Sequence, residues 1–167
     1  MNLTKFYHLS FTVMLIFIFT ASINLFAKEK KISEKEVPAA VLKSFHSTYP
    51  NAKIKGLSTE IEKGIKYFEI ESMDGTVRRD LLYMNSGKVA EIEETILSSE
   101  LPKGAIQSIN KKIPGGKIER SEKVTSGSKI TYELSVVGKT GKYSVVLNKL
   151  GEISKVAKEN SKTGDED

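Results

Sequence analysis

The sequence predicts an α+β fold: two tandem α-β-β-β-β units forming a mostly antiparallel sheet with both helices on one face. Three observations lead there. A segment beginning at Val37-Pro38 recurs 64 residues later from Leu101-Pro102, placing Pro38 on Pro102, Ser44 on Ser108, Pro50 on Pro114, Lys53-Ile54 on Lys117-Ile118, Glu69 on Glu133, Thr76 on Thr140 and Gly87 on Gly151. A fixed internal period implies repeated structural units that share a core. Each copy opens on apolar residues at helical spacing closed by an X-Pro step, then changes to period two with short turns, which force antiparallel pairing.

The elements follow in order. Residues 28–35 form a polar lead-in, and the first unit covers 36–95. Pro38 suits a first helical turn, where its missing N–H costs nothing. Val41, Leu42, Phe45 and Tyr49 then mark one helical face, and Pro50 stops the helix by disfavouring α geometry in the residue before it. Strands are expected at 53–61, 65–73, 76–84 and 88–93. The Asp74-Gly75 pair is a hairpin signal, since a type I′ turn needs positive φ at both positions.

The second unit covers 98–158. Ser98 or Ser99 can cap its helix, Pro102 starts it, Ala105, Ile106, Ile109 and Ile113 form its apolar stripe, and Pro114-Gly115-Gly116 ends it. Strands are expected at 117–124, 129–137, 142–148 and 152–157. Residues 159–167 form a polar tail without an apolar anchor, expected to be disordered.

The first 27 residues read as a signal peptide: one lysine, Lys5, before the uncharged stretch from Leu9 to Phe26, then Ala27 ahead of Lys28-Glu29-Lys30-Lys31. Cleavage after Ala27 would release the protein to the periplasm or the medium. An uncleaved segment would be a membrane anchor, since the stretch approaches the length of a span. The chain has no cysteine, so neither an acylated N-terminus nor a disulfide framework exists. Without Lys5 the basic residues fall from 26 to 25 against 21 acidic ones, a modest excess spread along the chain. Nucleic-acid binders concentrate theirs on a stripe, so none is expected as a partner.

The chemistry of catalysis is sparse. His8 lies in the export signal, which leaves His46 as the single histidine of the exported chain. A lone histidine on a helix surface lacks the partner that general-base work needs. Cys/His metal clusters are excluded, and no nucleophile elbow or phosphate loop is present; Pro114-Gly115-Gly116-Lys117 lacks the spacing of one. The pairs Glu69/Glu71 and Glu91/Glu93 read as solvated charges on strand faces. The chain is therefore not expected to be an enzyme, nor to carry a cofactor or a metal.

The third strand of each unit is apolar on both sides. Leu81 and Tyr83 alternate with Leu82 and Met84, and Tyr143, Val145 and Leu147 with Val146. A half-buried strand needs one apolar set. If Leu81, Tyr83, Val145 and Leu147 face the helices, then Leu82, Met84 and Val146 stand outward beside Tyr67. They form an exposed apolar strip rimmed by Arg78, Asp80, Glu69 and Glu133. An apolar centre with a polar rim is interface anatomy. These eight residues are the expected protein-binding face, and the partner expected is another envelope or secreted protein. The alternative is a carrier or sensor with a small-ligand pocket between helices and sheet.

The pattern Val37-Pro38-x-x-Val41-Leu42, Tyr49-Pro50-x-Ala52, Tyr67-Phe68-Glu69-Ile70, Asp74-Gly75 and Asn85-Ser86-Gly87-Lys88 resembles the PepSY-like, β-lactamase-inhibitor-like domain family. The second unit matches more loosely through Leu101-Pro102, Ile113-Pro114, Tyr132-Glu133-Leu134 and Leu150-Gly151. The tryptophan that many members carry after the third turn is absent; Val89 and Ile153 stand near that place. The resemblance implies an exported, non-catalytic module of tandem helix-plus-meander units. It also implies an open sheet face that inhibits or modulates a secreted or periplasmic enzyme.

Overall fold

A computed structural model describes residues 29–62 and 64–159. The expected signal peptide and nearly all of the expected tail lie outside the described residues.

Among the described residues nine strands form one antiparallel sheet in strict sequence order: β1 (Lys30–Lys31), β2 (Lys53–Glu62), β3 (Ile65–Asp74), β4 (Val77–Met84), β5 (Val89–Thr95), β6 (Lys117–Ser126), β7 (Lys129–Gly138), β8 (Gly141–Asn148) and β9 (Ile153–Lys158). Helix α1 (Ala39–Thr48) precedes β2, and helix α2 (Ala105–Lys112) connects β5 to β6. The α+β class and the strand positions agree with the sequence expectation within about two residues. The lead-in differs. Lys30 and Lys31 pair with Thr59 and Ser58, so it contributes a short edge strand.

Helix α1 buries Val41 and Phe45 against Phe68, Ile70, Leu81 and Tyr83. Helix α2 buries Ala105 and Ile109, with Ile113 just past its end, against Leu134, Val136, Val145 and Leu147. Directly opposed residues share a face, and the register runs Ile70–Leu81–Ile92–Thr125–Ile130 across the middle of the sheet, so both helices cover the same side. Each Leu or Phe sealed there contributes roughly 1.5–3 kcal/mol of apolar burial.

The α2 stripe is narrower than expected. Ile106 is 49 % exposed, because the helix starts at Ala105 and turns that position outward. The expected cap also moves: Ser98 and Ser99 lie in a separate tight turn, and Gly104, with φ of 92°, occupies the N-cap. At the far end of α1 the guanidinium of Arg79 lies 5.0 Å from the centre of the Tyr49 ring and pairs with Glu94.

Register breaks interrupt β2/β3 between Ile54 and Gly56, and β6/β7 between Ile118 and Arg120. Such bulges sharpen the local twist. No helix among the described residues is long and apolar enough to cross a membrane.

Candidate functional site: the uncovered sheet face

The side of the sheet opposite the helices is built by period-two alternation on the consecutive strands β2 to β9. Its rows can be read from the register. One runs Ser58–Glu69–Leu82–Glu91–Ser126, a second Glu71–Asp80–Glu93–Val124–Thr131, and a third Thr95–Glu122–Glu133–Val146–Lys155. Tyr67 opposes Met84, and Arg78 opposes Met73. All eight residues singled out in the sequence therefore stand on this one face. Among the described residues no helix packs over it.

The strip is not the exposed one expected. Leu82 retains 4 % of its surface and Val124 6 %, while Tyr67, Met84 and Val146 are half-buried. On a central strand each side chain has neighbours on both flanking strands about 4.8 Å away, and long glutamates close around the smaller apolar groups.

The carboxylates overturn a second expectation. Glu69, Glu91 and Glu93 are buried, together with Glu60, Asp80 and Glu122. They read as solvated from alternation alone. The register instead packs them side by side, where burial disfavours the charged form and each carboxylate disfavours ionisation of the next. Burial, then the charges of Glu133, Glu122, Glu91 and Asp80, push Glu93 up to about 8. Burial and Glu62 raise Glu60 to about 7. Burial raises Glu91 to about 7, with Glu62 and Glu133 adding to it. Asp80 rises to about 6 through burial, although the Arg78 guanidinium holds it down. Glu69 and Glu133 are raised by burial as well.

Some of these acids have partners. The Ser58 hydroxyl donates to Glu69 Oε2 at 2.6 Å. Arg78 reaches Asp80 at 3.0 Å and Glu71 at 3.5 Å, and Arg120 reaches Glu122 at 3.5 Å. Asp80 Oδ1 and Glu91 Oε1 are buried without a hydrogen bond. Glu91, Glu93, Glu122 and Val124 were not among the residues expected on the binding face. The Glu-x-Glu spacing of 91 and 93 was the available signal, but it could not say which strand would lie alongside.

The space between α1 and the sheet is filled by Val41, Phe45, Ile70, Leu81 and Tyr83, each fully buried. His46 is exposed and meets the edge of the Phe45 ring.

The sequence matches no protein-family model and no curated relative. Solved structures share its fold. A protein of Bacteroides eggerthii, provisionally described as periplasmic, aligns with a TM-score of 0.60 at 13 % identity, over 73 % of this chain and 88 % of that one. A DUF2874 family protein from Bacteroides uniformis aligns at 0.59 and 15 % identity, over 72 % and 88 %. A BLIP-like protein from Bacteroides fragilis aligns at 0.55 and 14 % identity, over 75 % and 91 %. The β-lactamase-inhibitor-like half of the resemblance is thus supported as a fold, whereas the PepSY-like half has no matching family model behind it.

Proposed function

We propose that the chain is an exported, non-catalytic binding module that captures another envelope or secreted protein on its uncovered sheet face and modulates or inhibits it by covering it. One observation carries this reading: Tyr67, Glu69, Arg78, Asp80, Leu82, Met84, Glu133 and Val146 converge on the face the helices leave open. The fold shared with a BLIP-like protein and with a protein provisionally described as periplasmic supports both the mode of binding and the location. A strand-built surface is rigid, so little ordering entropy opposes docking.

Residues 1–27 act as the export signal in this reading, and 36–95 and 98–158 as two copies of one unit. The register breaks near Ile54 and Ile118, 64 positions apart, support the duplication.

The test is site-specific photo-crosslinking in the native envelope. A photoreactive residue at Met84 or Val146 is expected to trap a protein, and one at Ile106 on the helix side is not. Adducts formed from Ile106 alone would refute the assignment of the face.

A further inference from the structure

The uncovered face holds buried carboxylate oxygens that nothing answers, Asp80 Oδ1 and Glu91 Oε1 among them. Beside them Glu93 is 8 % exposed, and the charges acting on it, those of Glu133, Glu122, Glu91 and Asp80, are all carboxylates. Its cross-strand neighbours are Asp80 on β4 and Val124 on β6. The cations on this side engage other acids: Arg78 is held by Asp80 and Glu71, Arg120 by Glu122, and Lys155 acts on Glu133. Lys129 sits at the edge opposite Ser126, and Lys155 opposite Val146. A buried carboxylate without a partner is costly and gains most when a charge-assisted donor arrives. Val124 lies directly opposite it and Leu82 diagonally beside it, so apolar contact and charge are offered within one strand spacing.

Resting on the reading of this face as a docking surface, we infer that its occupant is a cationic protein segment, an extended stretch in which arginine or lysine alternates with apolar side chains. One guanidinium seats between Glu93 and Asp80, within reach of Glu91. The apolar side chains of the segment cover Leu82, Val124 and Val146. An acidic segment would meet repulsion from Glu69, Glu71, Glu122 and Glu133 as well. The raised affinity of Glu93 and Glu91 for protons adds a signature: an arriving cation expels a proton from the face, so binding tightens as pH rises.

Isothermal titration calorimetry at low salt tests this with short synthetic peptides. One alternates arginine with leucine, the others serine with leucine and glutamate with leucine, and spermine serves as a cation that is not a protein segment. The arginine–leucine peptide is expected to bind best, releasing protons on binding, and about tenfold more weakly to Glu93→Gln. Glu34→Gln, at an exposed carboxylate in the turn before α1, is expected to bind as the parent does. Thermal melts of Glu93→Gln verify folding.

Equal binding of the serine–leucine peptide, lost in Leu82→Ala, would overturn the charge class while leaving the docking face standing. Spermine binding as tightly as the peptide would overturn the protein segment as occupant. Self-association of the protein that Glu93→Gln abolishes would make the occupant a second copy. Binding unchanged by Glu93→Gln would also overturn the inference.

Discussion

Asp80 and Glu93 stand directly opposite each other on β4 and β5, at 5 % and 8 % exposure, with the Arg78 guanidinium on the Asp80 side alone. Two carboxylates facing across a strand pair repel when both are ionised. Burial resolves the conflict by holding protons, which is why Asp80 rises to about 6 and Glu93 to about 8.

This arrangement ties stability to acidity. Both folded pKa values lie above the unfolded values of 3.8 and 4.5, so the folded chain holds more protons between them. Their stabilisation is complete below the unfolded pKa and is lost as pH rises through about 6 and then about 8. Thermal unfolding is expected at a higher temperature near pH 5.5 than near pH 9. A midpoint that climbs across that window would contradict the placement of these acids.

Glu93→Gln keeps the shape and removes the charge. The variant is expected to be more stable than the parent by roughly 1–3 kcal/mol at alkaline pH and to match it only below the unfolded value of 4.5. Urea melts at two pH values read the difference directly. A destabilised variant under alkaline conditions would mean that Glu93 has a favourable partner.

Gly87 packs its Cα against the first turn of α1, where an added Cβ would collide with the backbone carbonyl of Ala40, and its φ is 81°. Gly75 has φ of 60° but open space around it. Gly87→Ala is therefore expected to cost more than about 2 kcal/mol, against about 1 kcal/mol for Gly75→Ala. Equal costs in chemical denaturation would show that the β4–β5 turn does not touch the helix.

Ile106 and Ile109 separate the true helical stripe from the expected one. Ile109→Ala is expected to lose about 2–5 kcal/mol, and Phe68→Ala about 3–5 kcal/mol, as core truncations. Ile106→Ala is expected to change stability by under about 0.5 kcal/mol. Matching losses at 106 and 109 would place both beneath α2.

The strand positions were legible because period-two alternation, Asp74-Gly75 and the Pro stops are local signals with local causes. The face of Leu82 and Val146 was legible for the same reason: alternation decides which side a residue takes once Leu81 and Val145 are given to the helices. Leu82 was nonetheless misjudged as exposed. Its burial comes from Glu69 and Glu91, which lie 13 and 9 positions away along the chain and meet it only through register. The edge strand at Lys30-Lys31 was missed because two lysines have no strand signal of their own, and backbone pairing with Ser58 and Thr59 alone creates it.

By itself the amino-acid order determined the helices, the long strands, their turns and the side of the sheet each residue takes, since backbone preference and hydrophobic period act over a few residues. The tertiary structure decided that acids spread from position 60 to position 133 would share one water-poor surface. The energy of a charge depends on what lies within a few ångströms of it, and strand register is what sets those neighbours.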